Sequence, residues 1–532
     1  MLDVSIVLVL LYLVTILSIA TRRWTIPYPT IMVLTGLGIA LTPGLPAVQL
    51  TPEVVFLTFL PPLLYGAAWN TPWRSFVENI RPISFLAFGL VLITTVMVGL
   101  VTKWIVPDIP WAAAFALGAI VSPPDAVAAT SLTRSMPIPR RIVVILEGES
   151  LLNDATGLVA YRMAVAAVTT GAFSLSESMF VFVVASIGGL VIGLIGGWLA
   201  VRLHRHLDDP LSETTLTLLT PYADHLPCEA IHVSGVLAVV ACGLYVSQRS
   251  DWLFSSATRL HAGAVWGSVL FVLNGLTFIF IGLGLREVMH DLKEDPIWWN
   301  LGVGVAVLLT VIGVRIAWVF PAAYMPRRLI RAAANSRNVP PWQHIWLISW
   351  TGMRGVVSLA AALALPLDFP YRSLILFVVF IVILGTLVLQ SLSLPWMIRR
   401  MGVGRDGRSR VEQEIDARLA ILAAANMYLD SHGNGSEVGR RDLQYLRAHF
   451  ETQAARIVER LELQLEDIDF ESEVRSHSPK CQSLYLRTLS AQRSRLKELE
   501  HAELIDDEVH AKLRHEIDLE ETRLKSSATL HA

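Results

Sequence analysis

Four ionisable residues, Asp125, Glu149, Asp154 and Arg354, stand inside apolar stretches of this 532-residue chain. A charge at the centre of a bilayer costs about 3 kcal/mol or more unless it is paired or hydrated, so each is a functional candidate. Arg162 and Arg315 hold similar positions and read as snorkelling or structural pairing residues. The densest stretch is Glu147-Gly148-Glu149-Ser150-Leu151-Leu152-Asn153-Asp154. At ~100° per helical residue, Ser150 and Asp154 share one face, and Glu149 and Asn153 share its neighbour. Carboxylate, hydroxyl and amide oxygens of this kind suit a hard cation. Glu147 reads as a helix cap, whereas Asp154 is too deep in its span to cap anything. Burial disfavours the charged form of a carboxylate, so such an acid can hold either a proton or a cation. That chemistry is reversible binding and needs no covalent step.

Two interrupted helices must position these groups. Trp111–Val121 is apolar, Ser122-Pro123-Pro124 intervenes, and the apolar pattern resumes after Asp125. Adjacent prolines remove two backbone donors and bias each preceding residue away from helix. Unwound backbone at membrane depth is tolerated where it lines a cavity, and freed carbonyls near Ser122 and Pro123 can then face a cation. The second break is Thr351-Gly352-Met353-Arg354-Gly355, where glycine permits the unwinding that proline forces in the first. The breaks fall in spans 5 and 12 of the count given below, seven apart and therefore opposite in orientation, as an inverted-topology repeat requires. Crossed half-helices bring like dipole ends together, and Asp125 and Arg354 can each compensate one crossing.

Composition supplies the frame. The chain is 53% hydrophobic and 17% charged, with a mean hydropathy of +0.53. The charge is unevenly divided: 42 Asp, Glu, Lys and Arg in residues 1–398, against 46 in the last 134. Apolar spans of the length a bilayer needs lie near 4–20, 28–41, 53–70, 82–102, 111–132, 148–169 and 176–201. Six more lie near 212–223, 230–247, 265–285, 297–321, 343–365 and 372–396. With the N-terminus outside, alternate loops gather 17 Arg on the cytoplasmic side and leave four Lys and Arg on the other, which is the positive-inside pattern. The first apolar run lacks a basic leader and a cleavage site, so it reads as a membrane helix and not as a signal peptide. Net charge of −2 implies no attraction to nucleic acid. Cys228, Cys242 and Cys481 have no metal-site or disulfide spacing.

The stretches Ser122-Pro-Pro-Asp125-Ala-Val-Ala-Ala, Gly148-Glu-Ser-Leu-Leu-Asn-Asp154 and Gly352-Met-Arg-Gly355, in this order, resemble the monovalent cation:proton antiporter family that includes bacterial and animal sodium/proton exchangers. The likeness covers most of residues 1–396. It implies an all-α polytopic membrane protein: an exchanger domain over 1–398 with inverted repeats, then a helical cytoplasmic tail over 399–532. It implies a secondary transporter, neither enzyme nor cofactor-dependent, working as a homodimer in the cytoplasmic membrane with a moving core and a static dimerisation domain. Asp154 would alternately hold Na+ and H+, Asp125 would orient the ion site, and Ser150 would be a further oxygen ligand. Asn153 occupies the place that carries Asn in electroneutral members. Glu149 would form a structural ion pair with Arg354. Pro124 departs from the pattern, since many relatives carry threonine there; coordination at the crossing then falls to backbone carbonyls, Ser122 or water. Na+ is preferred over Li+ and K+ by family frequency, with K+/H+ exchange as the alternative. A cation channel and an intramembrane aspartyl enzyme built on Asp125 and Asp154 are remote rivals.

The tail reads as soluble helices over Val411–Asp430, Val438–Asp467, Leu484–Leu504 and Asp507–Lys525. Val458, Leu461 and Leu465 recur at helical spacing and suggest packing or pairing between tails. Either a sensing element or a solvated bundle fits this pattern. His204, His206 and His225 read as ordinary surface histidines.

Overall fold

The computed structural model describes residues 4–21, 27–42, 55–125, 127, 138–170, 175–286, 288, 297–329, 341–403, 410–432, 440–463, 479–502, 504–505 and 507–529. Its elements are helical throughout. Apart from the short helices Trp73–Glu78 and Ser250–Leu253, the chain up to Met401 carries α1 (Val4–Thr21), α2 (Tyr28–Leu41), α3 (Leu60–Asn70), α4 (Ile80–Ile105), α5 (Trp111–Val121), α6 (Arg140–Thr170) and α7 (Leu175–His204). There follow α8 (Pro210–Ala230), α9 (Gly235–Ser247), α10 (Ser256–Leu283), α11 (Ile297–Leu329), α12 (Trp342–Trp350), α13 (Val356–Leu363) and α14 (Arg372–Met401). Four more carry the C-terminal part: α15 (Arg410–His432), α16 (Arg440–Leu463), α17 (Pro479–His501) and α18 (Asp507–Thr529).

Every apolar segment marked in the sequence carries helix. Five helices, α4, α7, α10, α11 and α14, contain stretches long and apolar enough to cross a bilayer; α1, α2, α5 and α9 are shorter apolar helices. Two boundaries differ from expectation. α6 begins at Arg140 rather than 148, because Ile142–Leu146 extends the buried face by two turns. α8 runs to Ala230 rather than 223, carrying Pro221 and Pro227 inside it. Helix α9 starts only at Gly235, where the Ser234 hydroxyl caps it by accepting from the Leu237 N–H at 3.3 Å. Wide, π-type turns open the α3 segment (Val55–Phe59) and interrupt α4 (Phe85–Leu90) and α14 (Thr386–Gln390). Such turns interrupt the regular ladder and re-aim side chains. Both breaks appear where proline and glycine put them: α5 stops at Val121, and Thr351–Gly355 separates α12 from α13.

The chain divides into two compact units. The first comprises 1–208, 215–253 and 265–405, and the second comprises 209–214, 254–264 and 406–532. The second unit thus takes two short pieces from earlier in the chain, the starts of α8 and α10, together with the C-terminal helices. The first unit's core is a cluster of aliphatic and aromatic side chains drawn chiefly from α4, α5, α6, α10, α11, α13 and α14, with Phe377, Phe380 and Ile383 buried in it. The second unit has its own core, drawn from all four C-terminal helices. The Val458, Leu461 and Leu465 side chains lie outside the described residues.

Candidate functional site

The two unwound segments touch. Asp125 N–H donates to the Met353 carbonyl at 2.6 Å, backbone to backbone. Arg354 is buried and turned onto main-chain carbonyls: its Nε donates to Val121 O at 2.9 Å, its Nη2 to Ser122 O at 3.4 Å, and its Nη1 to Gly352 O. Its own N–H donates to the Thr386 hydroxyl at 3.1 Å, within the wide turn of α14. The guanidinium therefore sits at the carbonyl end of α5, where the helix dipole is negative. Asp125 stands at the opposite kind of end. Its Oδ1 accepts from the Val127 N–H at 2.8 Å, and its Oδ2 lies against Gly355, just before α13 begins. A Cβ added to Gly355 would come 2.1 Å from that oxygen, so only glycine admits the acid there.

Helix α6 brings the remaining groups. Asn153 Nδ2 donates to Pro124 O at 2.8 Å, tying α6 to the proline break. Its Oδ1 is buried and accepts no hydrogen bond among the described residues. Asp154, one residue on, is 7% exposed, and its carboxylate accepts no hydrogen bond from any described group. Asp125 lies within its electrostatic reach. Gly157 packs on Pro123, close enough that a Cβ would meet the ring at 2.4 Å. Ser150 is half-buried one turn before Asp154 on the same face. Ser122 is buried, and its hydroxyl donates to Ala119 O at 3.0 Å. The carbonyls at the first break are largely engaged, those of Val121 and Ser122 by Arg354 and that of Pro124 by Asn153. Asp125, Asp154 and the Asn153 Oδ1 stand beside them as oxygen groups that suit a hard cation, two of them carboxylates, with Ser150 one turn away on α6.

One expected contact is corrected. Glu149 pairs with Arg315, not with Arg354. Arg315 Nη1 and Nη2 donate to the two Glu149 oxygens at 2.5 and 2.8 Å, and both side chains are 1% exposed. Arg315 also donates to Ile348 O at 3.1 and 3.2 Å and to Thr351 O at 3.3 Å. Arg354 is occupied by the α5 carbonyls, whereas Arg315 enters from α11 and closes the end of α12. The sequence showed the need but not the choice: a lone arginine in the middle of the apolar Ile297–Tyr324 stretch needs a carboxylate as much as Arg354 does. Arg162 makes the exposed structural pair expected of it, with Glu229 at 2.9 Å.

His204 and His225 are buried rather than on the surface. Beside His225, a further buried group escaped the sequence reading. Asp224 is buried and packed against Gly196, and its Oδ2 has no hydrogen-bond partner among the described residues. Ending the eighth span at 223 hid that acid.

Residues 8–400 match the family model described as "Sodium/hydrogen exchanger, transmembrane". A "Sodium, potassium, lithium and rubidium/H(+) antiporter" of Bacillus pumilus is 37% identical over 73% of this chain; the match spans 60% of the length of that relative. An uncharacterised Na(+)/H(+) exchanger of Mycobacterium tuberculosis is 33% identical over 98% of this chain and 96% of its own. Among solved structures, the sodium proton antiporter MjNhaP1 from Methanocaldococcus jannaschii superposes with a TM-score of 0.60 at 18% identity, covering 76% of this chain and 99% of that one.

Proposed function

Because this chain belongs to the transmembrane sodium/hydrogen exchanger family, we propose that it exchanges Na+ for H+ across the cytoplasmic membrane, with both ions competing for Asp154. The observation that carries the reading is the Asp154 carboxylate, buried, accepting no hydrogen bond among the described residues and within electrostatic reach of Asp125, on the helix that Asn153 ties to the crossing of the two unwound segments. Two carboxylates brought together repel, and a monovalent cation or a proton relieves that repulsion. Deprotonated, Asp154 binds the cation with Asp125, the Asn153 Oδ1 and Ser150 supplying further oxygen; protonated, it does not. If only the two neutralised forms let the moving core pass its site across the bilayer, exchange follows from competition alone. Each pH unit across the membrane then contributes ~1.4 kcal/mol per proton.

The finer features belong to the same proposal. Thirteen spans, with the N-terminus outside and the C-terminal helices in the cytoplasm, agree with the distribution of arginine. The α5 and α12–α13 breaks are the paired elements of an inverted repeat. Asn153 contributes an amide rather than a second charge next to Asp154, which supports electroneutral exchange. Ser122 acts through its backbone at the crossing. Two copies assemble as a homodimer. The name of the Bacillus relative, which includes potassium, lithium and rubidium, keeps K+/H+ exchange as the second reading. Cation-induced dequenching of a pH dye in everted vesicles tests the site across Na+, Li+ and K+. Wild type should exchange, and Asp154→Asn should not. Exchange at the wild-type rate by Asp154→Asn would remove Asp154 from the mechanism.

A further inference from the structure

The four C-terminal helices line a half-open cavity of about 190 Å³ that nothing in the exchange cycle uses. Each contributes to its wall: Ile421 from α15, Phe450 and Gln453 from α16, Tyr485 and Gln492 from α17, and Leu513 from α18. We propose that this cavity binds a small, uncharged, planar heterocycle of the nucleobase class, and that its occupancy is passed to α10 through Asp518 and Arg259.

Size, charge and polar pattern together select that ligand. A closed apolar cavity of about 150 Å³ holds a benzene ring, so the volume here accommodates one or two fused rings. Its charges are already spent on each other. The Arg418 guanidinium donates to both Glu516 oxygens at 2.6 and 2.7 Å and to Glu414 Oε1 at 2.7 and 3.0 Å. Glu520 accepts from the Tyr485 hydroxyl at 3.3 Å and lies 3.8 Å from Arg523. An ion entering the cavity finds no unpaired countercharge. Two amides remain. Gln492 is 5% exposed and makes no hydrogen bond among the described residues, so its donor and acceptor face the cavity without partners. Gln453 Nε2 contacts His449 Nε2 at 3.2 Å, which leaves its carbonyl available. A glutamine amide offers a donor beside an acceptor, the arrangement that reads the edge of a nucleobase. Phe450 and Tyr485, edge to face at 5.5 Å, and the aliphatic side chains supply apolar surface for the ring faces.

The route outward is short. Helix α18 supplies five of the lining residues, and Asp518 stands between two of them, Ile517 and Leu519. Arg259 holds Asp518 with two guanidinium nitrogens, and Arg493 holds it at 2.7 Å. Arg259 lies in the first turn of α10, which continues unbroken to Leu283. A ligand that repacks α18 therefore pulls on α10 through one buried ion pair.

Calorimetric titration of the purified full-length chain with adenine, uracil and indole tests the site. A base should bind saturably at one site per chain. Gln492→Leu should weaken it by about tenfold or more, the loss of one buried hydrogen-bonding group, with helicity and elution volume unchanged. No saturable heat with either base, or indole binding as well as the bases with Gln492→Leu without effect, would overturn the assignment; neither reading depends on exchange activity. In vesicles, the bound base should change the exchange rate of wild type and not that of Asp518→Asn, which still binds it. An unchanged wild-type rate with base bound would overturn the link to α10.

Discussion

Glu149 and Arg315 carry opposite charges into a core where neither could stand alone. Their mutual bonds, and the Ile348 and Thr351 carbonyls on the arginine, satisfy both groups. Removing either partner strands a buried charge, which costs about 3–5 kcal/mol. Glu149→Ala and Arg315→Ala should each sharply lower the yield and melting temperature of detergent-purified protein. Glu149→Leu combined with Arg315→Leu should recover most of that loss, because two apolar groups replace the pair without leaving a charge. Additive losses in the double variant would show that the two residues do not form a unit. At this scale the residues that matter were legible, since each is an ionisable group in an apolar run. Their pairing was not. Depth along one helix relative to another is set by packing, and a one-dimensional pattern gives no means to choose Arg315 over Arg354 as the partner of Glu149.

Among the elements, the broken helices were the most legible feature, because proline and glycine act on their own backbone. Ser122-Pro123-Pro124 ends α5 and Thr351–Gly355 separates α12 from α13, as their chemistry requires. The wide turns of α4 and α14 were invisible, as no residue type marks them, although one of them presents Thr386 to Arg354. Gly355 tests the crossing as an assembled unit. Its missing Cβ leaves room for the Asp125 carboxylate, whereas Gly302 on α11 has open space around it. Gly355→Ala should therefore cut exchange at least about tenfold, as small misplacements at a site do, while Gly302→Ala leaves exchange at the wild-type rate. Vesicle assays normalised to protein content make the comparison. Equal rates for the two variants would show that the contact between Gly355 and Asp125 does not position the site.

For the whole molecule, the division into a low-charge and a high-charge part was plain from composition. The recruitment of the starts of α8 and α10 into the second unit was not, because it depends on tertiary contacts such as Arg259 with Asp518. The second unit also carries a pH dependence of its own. Burial holds the His449 imidazole below its ordinary range, with Arg523 and Arg456 adding to the effect; Tyr485, Tyr445 and Gln453 surround it. The unfolded chain takes up that proton first, near pH 6.5, so this contribution to stability is whole above that pH and is lost as pH falls toward the folded value. Reaction of the buried Cys481 with a disulfide reagent, read by mass spectrometry and divided by the rate of the urea-unfolded chain at the same pH to remove the loss of thiolate, should therefore rise as pH falls below about 6.5 in wild type. His449→Gln should flatten the rise, and an unchanged rise would assign it to other groups. The proposed exchange depends on one acid, Asp154, holding either a metal ion or a proton and not both together. Adding Na+ to weakly buffered, purified protein should release close to one proton per cation bound, and Asp154→Asn should release none. Binding of Na+ without proton release, or equal release from the variant, would contradict it.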